Sequence, residues 1–190
     1  MAVLAGLCEA VDARPYMRGH GARVSALCEA VAVRLGWGPE RIRRLRLGAR
    51  LHDVGKLAVA DEVWHKPGRL DDREFEEVRR HPTAGMRMLA RLPEFRFAIP
   101  YVLYHHERWD GKGYPSGRAG HAIPLEARIL AVADAYDAMT SPRSYRGALD
   151  HEAALDEIEA CAGTQFDPVV ASVFVELGRE RAPRLLAADG

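Results

Sequence analysis

Alternating strand patterns are nearly absent from this 190-residue chain. Long apolar runs are missing too: none approaches the ~18–20 residues needed to cross a bilayer. The opening MAVLAGLCEAVDARPYMRG lacks a basic leader and soon carries Glu9 and Asp12, so it reads as a first helix and not as a signal peptide. Cysteine is scarce. Cys8, Cys28 and Cys161 are odd in number, far apart and without C-x-x-C spacing, which argues against a disulfide framework and for reduced, mostly buried thiols in a cytoplasmic protein. A charge excess is lacking as well, since 27 Lys and Arg balance 27 Asp and Glu. A general DNA- or RNA-polymer binder needs a basic surplus to release counterions, so that class is disfavoured, while a local basic pocket stays open.

What is present is helical periodicity. Val24, Leu27, Cys28, Val31 and Leu35 recur at three- and four-residue steps before Gly36 and Gly38 stop the segment. A second helix runs from Pro39 to about Asp53, with Ile42, Leu45, Leu47 and Leu51 on its apolar face. An irregular connection over 59–70 turns at Lys66-Pro67-Gly68, and Asp71 or Asp72 caps a short helix through Phe75 and Val78. Pro82 opens another helix, and one more is expected from about Glu94 to His106. A Gly/Pro-rich loop from Asp110 to Ile123 precedes the most apolar segment, LEARILAVADAYDAMTS, and two amphipathic helices follow at about His151–Cys161 and Pro168–Arg181. The reading is all-α: a single compact helical bundle over 1–190 with functional loops between helices.

The eight histidines are unevenly placed. His65, His121 and His151 stand in polar or turn contexts and read as surface residues. The others keep acidic or histidine company, or sit at helix punctuation. His52-Asp53 closes an apolar helix, and adjacent helical side chains reach one ion only at a helix end, which Gly55 would provide. His105-His106 repeats the arrangement before the Gly-rich loop, His81 precedes Pro82, and His20 lies between Gly19 and Gly21. Taken singly, each has a plain explanation as a cap or a solvated side chain. Asp134 has one too, an exposed helical face, but it lies inside ILAVADAYDAM, where an unpaired carboxylate is costly to bury and a metal or a basic partner would resolve it. Asp137, three residues on, shares its helical face.

Five histidines and two aspartates at five places point together to one polynuclear metal site. Imidazole and carboxylate donors without thiolate suit Fe, Mn, Co or Zn, and their number exceeds what one tetrahedral ion uses. Paired ions are a usual device for in-line attack on phosphorus. Lys56, Lys112, Arg143 and Arg146 follow the ligand-bearing segments and suit phosphate oxygens.

The motifs HDVGK (His52–Lys56), KPGRL, HPTAG (His81–Gly85), HHERWDGKGYP (His105–Pro115), IPLEARILAVADAYDAMTSPRSYR (Ile123–Arg146) and GTQFDP occur in that order. In order and spacing they resemble the HD-GYP family, a branch of the HD metal-dependent phosphohydrolases, over roughly residues 20–178. The resemblance implies an HD-type helical bundle, a binuclear or, in some members, trinuclear centre, and hydrolysis of cyclic di-GMP to linear pGpG and often on to GMP. It implies His52 and Asp53 as the HD ligands, with Asp53 bridging two ions. Asp134 falls on one ion and His81, His105 and His106 on the other, while His20 matches the early histidine of the superfamily as a further metal ligand. Lys56 would stand at the scissile phosphate, Arg143 on the substrate, and the loop Asp110–Pro115 at the site and toward protein partners. Trinuclear members carry a glutamate four residues before the early histidine; this chain has Tyr16 there, so two divalent ions, Fe or Mn, are expected. The alternatives are an HD phosphohydrolase of another cyclic dinucleotide or nucleotide, and a non-catalytic cyclic di-GMP-binding or interaction module.

Overall fold

A computed structural model of the chain describes residues 2–14, 17–64, 66, 68–142 and 147–186. Its helices are α1 (Ala2–Asp12), α2 (His20–Arg34), α3 (Pro39–Leu51), α4 (Asp61–Trp64), α5 (Asp72–Arg79), α6 (His81–Ala90), α7 (Ile99–Tyr104), α8 (Leu125–Thr140), α9 (His151–Ala160) and α10 (Pro168–Leu186), with 3-10 turns at Val54–Ala58, Pro93–Ala98 and Gly120–Ala122. Among the described residues the only β-pairing is an isolated bridge between Ala162 and Phe166. The all-α expectation therefore holds.

Local chemistry explains most boundaries. Gly38 and Pro39 start α3, with proline at a position whose N–H has no partner in any helix. Asp71 caps α5 in a capping box with Glu74, each side chain accepting from the other's backbone N–H. Asp150 accepts from Ala153 N at the start of α9. Helix α2 packs on α3 and α8, α6 packs on α7 and on the 54–58 turn, and α10 packs on α9. Val24, Cys28, Val31, Leu45, Leu51, Leu89, Val102, Ile129, Leu130 and Val132 are all within 1% of complete burial. The ends of α3 and α7 and the middle of α8 thus converge on one interior region.

Three expectations need correction. The helix foreseen from Glu94 to His106 is a 3-10 turn followed by α7. Pro100 has no N–H to give, and its ring would meet the carbonyl of Arg96 in a continuous helix. The connection over 59–70 contains α4, a single turn. Gly55, foreseen as the residue ending α3, does not have the left-handed φ of a helix stop. The helix already ends at Leu51, and His52 is its C-cap. Gly55 is needed for contact: a Cβ there would lie 1.8 Å from the His81 carbonyl oxygen. The bare backbone lets the turn after His52-Asp53 press against the start of α6, which brings His81 beside them.

Candidate metal centre

Short helix ends orient the imidazoles. His52 Nδ1 lies 2.6 Å from the Ala49 carbonyl, His81 Nδ1 2.7 Å from that of Val78, and His105 Nδ1 2.9 Å from that of Val102. Each ring is tied to the carbonyl three residues earlier. Nδ1–H donates there, so in the neutral ring the lone pair of Nε2 faces inward, the arrangement of a histidine prepared to ligate. His20, the first residue of α2, uses a carboxylate instead: its Nδ1 is 2.7 Å from Asp137 Oδ2. Asp137 in turn accepts from Arg23 Nε at 2.6 Å and Nη2 at 3.0 Å.

Asp53 stands in the middle. Its Oδ2 accepts from Lys56 Nζ at 2.6 Å and lies 3.2 Å from His52 Nε2 and 3.6 Å from His20 Nε2. Its Oδ1 lies 3.3 Å from His81 Nε2 and 3.9 Å from His105 Nε2. Asp53 is 2% exposed, yet Oδ1 makes no hydrogen bond. With their Nδ1 protons given to backbone carbonyls, the neighbouring Nε2 atoms present lone pairs to it and not protons. A buried carboxylate oxygen surrounded by lone pairs is costly in a protein alone. A cation resolves it. Asp134 Oδ1 completes the other side, 3.2 Å from His20 Nε2 and 3.7 Å from His52 Nε2.

Three sets of side chains bring one donor atom each within 4.8 Å of one another: His20, His52 and Asp134; His52, Asp53 and His105; and His81, His105 and His106. All seven ligands foreseen from the sequence are thus gathered in one place, and this donor set fits more than one divalent ion. Protonation divides the set. Burial would depress His20, but the carboxylates of Asp134, Asp137 and Asp53 outweigh it and raise its pKa to about 11. Burial and neighbouring imidazoles hold His105 well below the usual range. Enclosure, with His81 beside it, pushes His106 down to about 3. Burial opposes ionisation of Asp53 and Asp134, yet their histidine neighbours, with Lys56 beside Asp53, keep both carboxylates well below the ordinary value. Burial would likewise depress His52, but Asp53 and Asp134 raise its pKa to about 9. The His105–His106 pair is therefore free of extra protons at neutral pH, whereas His20 and His52 each carry one in the metal-free protein.

The Gly-rich loop is tied to the same place from beneath. Glu107 is 3% exposed and accepts from Ser116 N at 2.7 Å and Arg118 N at 3.0 Å. Gly113 passes so close that a Cβ would lie 2.4 Å from Arg108 N. Tyr114 then stacks on His106, ring centres 4.8 Å apart. Trp109 N and Asp110 N donate to the carbonyls of Gln165 and Thr164, which joins the loop to GTQFDP. Beside His105, His106 and Asp134 opens a cavity of about 430 Å³, with Lys112 and Arg79 on its wall.

Of the other foreseen residues, Lys56 is in the centre and Lys112 is exposed at the cavity. Arg143, Arg146 and Tyr16 lie outside the described residues, as does His65. His121 is exposed as expected, but His151 is half-buried between Tyr136 Oη at 2.6 Å and the Gly178 carbonyl at 3.1 Å. Its partners come from α8 and α10, so local context gave no sign of them. Sequence reasoning missed four further contributors: Asp137 as the partner of His20, Arg23 beside it, Glu107 beneath the loop, and Arg79 on the cavity wall. The i, i+3 spacing of Asp134 and Asp137 was the available signal for the first.

A bundle without strands among the described residues, with imidazoles and carboxylates gathered from helix ends and the middle of α8, is a helical fold with a candidate metal site. The chain belongs to the HD domain family, whose profile matches residues 8–170. It is 39% identical over 163 residues to a cyclic di-GMP phosphodiesterase of Thermotoga maritima, covering 85% of this chain and 44% of that protein. It is 44% identical over 148 residues to the cyclic di-GMP phosphodiesterase response regulator RpfG of Xanthomonas campestris, covering 77% of this chain and 39% of that one. The HD-GYP resemblance carried by the motifs is borne out. The chain spans less than half the length of these relatives. In fold it is similar to the crystal structure of a cyclic GMP-AMP-specific phosphodiesterase of Vibrio cholerae, with a TM-score of 0.73 at 22% identity, covering 97% of this chain and 49% of that one.

Proposed function

We propose that this chain is a metal-dependent phosphodiesterase that hydrolyses cyclic di-GMP to linear pGpG and/or GMP. The observation that carries the reading is Asp53, a buried carboxylate with one oxygen toward Lys56, His52 and His20 and the other, without a hydrogen bond, toward His81 and His105. His20, His52 and Asp134 would hold one divalent ion, His81, His105 and His106 a second, and Asp53 would serve both. Fe and Mn suit the donor set. When bound, the ions supply Lewis acidity toward the scissile phosphate and acidify a water nucleophile.

The chain's own residues do the rest. Backbone carbonyls of Ala49, Val78 and Val102 hold the imidazoles in the ligating tautomer. Lys56, held by Asp53 at 2.6 Å, faces the developing charge on the phosphate, where a fixed cation in a poorly hydrated site is most effective. Lys112, Arg143 and Arg146 would bind the remaining phosphate oxygens. Water adds to phosphorus, the 3′ oxygen leaves and takes up a proton, and the ring opens to the linear dinucleotide. The exposed Lys112 and Pro115 give the loop an outer side for a protein partner.

The test is anaerobic incubation with Fe(II) or Mn(II) and cyclic di-GMP, resolved by nucleotide chromatography, with 3′3′-cyclic GMP-AMP in parallel. Linear dinucleotide or GMP is expected, lost with chelator and with Asp53→Ala. Cyclic di-GMP left intact by metal-loaded protein refutes the substrate assignment. Full turnover by Asp53→Ala refutes the site.

A further inference from the structure

Phe75 is the odd residue of α5. The helix buries none of its residues, and Phe75 is 52% exposed. Single apolar side chains in water are ordinary on protein surfaces, so exposure alone implies nothing. Its position does. Phe75 lines the same cavity as His105, His106 and Asp134. Flat groups follow one another outward from the centre to it. The His106 ring stacks on Tyr114 at 4.8 Å and 26°. The Arg79 guanidinium lies 4.7 Å from the centre of the Tyr114 ring and 6.0 Å from that of Phe75. Arg79 is steadied by Glu76, Nη1 to Oε1 at 2.6 Å. An exposed aromatic backed by a guanidinium, at the rim of a cavity whose floor carries candidate metal ligands, matches a ligand with a phosphate at one end and a flat aromatic group at the other.

We propose that Phe75, with Arg79 and Tyr114 behind it, is a stacking platform for a nucleobase of the substrate. The proposal rests on the reading of the site as a cyclic-dinucleotide phosphodiesterase and adds how the substrate's base is held on the α5 side. Every base has a π-face, so such a platform favours a nucleotide over a bare sugar phosphate and does not itself separate guanine from adenine.

The test compares GMP, AMP and ribose 5-phosphate, which share a sugar phosphate and differ in the base, by calorimetric titration of the Mn(II)-loaded protein. The wild type binds both nucleotides more tightly than ribose 5-phosphate. Phe75→Ala weakens GMP and AMP about tenfold and narrows their advantage over ribose 5-phosphate, while Phe75→Trp restores it. Val33→Ala, which removes an apolar side chain of similar exposure from α2, changes none of the three affinities. With cyclic di-GMP, Phe75→Ala raises KM more than it lowers kcat. A wild type without nucleotide preference, or a Phe75→Ala protein that loses GMP and ribose 5-phosphate equally, overturns the platform. Nucleotide preference that depends on Phe75 in a protein that hydrolyses no cyclic dinucleotide upholds the platform and removes the phosphodiesterase reading.

Discussion

Asp137→Asn changes one atom and isolates the support of one half of the centre. Asp137 offers two oxygens to three close donors: His20 Nδ1 at 2.7 Å, Arg23 Nε at 2.6 Å and Arg23 Nη2 at 3.0 Å. Asparagine offers one oxygen and an NH₂ group that cannot accept. If its oxygen turns to His20, the amide protons face the guanidinium. If the oxygen turns to Arg23, they face the His20 Nδ1–H. Either way one donor meets another, and His20 loses the anion that orients it. Carboxylates that orient ligating histidines are worth ~10–100-fold in metal affinity, or ~1.4–2.8 kcal/mol at ~1.4 kcal/mol per tenfold. Fold stability changes less. The Arg23 side chain is 46% exposed and can be rehydrated, so the lost pair costs about 1 kcal/mol.

The assay is metal content after equilibrium against graded chelator, read by mass spectrometry, beside thermal melts of the metal-free proteins. Wild type is expected to hold two ions. In Asp137→Asn one ion binds 10–100-fold more weakly and the other is unaffected, because His81, His105 and His106 are oriented independently of Asp137. Unchanged affinity for both ions would show that His20 is not a ligand. Equal weakening of both, with a lowered Tm, would show that Asp137 supports the fold and not one subsite.

Other consequences are equally direct. Lys56→Ala keeps its metal content and loses ~10²–10³-fold in kcat, the scale for removing one electrostatic contact to the transition state; loss of metal would assign Lys56 to the ligand shell instead. Gly55→Ala drives a Cβ into the His81 carbonyl, so soluble protein should show a lowered Tm and impaired binding of both ions; wild-type stability and metal content would refute the close approach. Metal loading at pH 7 releases about two protons, from His20 and His52, whose pKa values stand at about 11 and about 9 in the metal-free protein, and calorimetry in buffers of differing ionisation enthalpy measures them. The sign for stability follows: because the folded pKa is raised, the contribution of His20 to the metal-free fold is complete below pH ~6.5 and is lost as pH rises toward about 11. A metal-free protein whose stability rises through that window would contradict the carboxylate cage around His20.

The candidate ligands were legible from sequence because the histidines and Asp53 sit at a helix end or a proline, because Asp134 interrupts an apolar helix, and because the signals recur. Their supports were not, because their partners are distant or are backbone. Asp137 is defined by α2, with Arg23 and His20 more than a hundred residues away in sequence. Helix α8 is apolar on most sides and so does not show which face the carboxylates occupy. Glu107 holds two backbone N–H groups nine and eleven residues downstream, and backbone donors leave no mark in residue identity. The same asymmetry governs Gly55. Its type was visible, but the reason lies in the His81 carbonyl, a partner that only the packing of α6 on the 54–58 turn supplies. A ligand must be histidine or aspartate, whereas the groups that orient it need only be an oxygen in the right place. Chemistry is therefore read from sequence more readily than the geometry that makes it work.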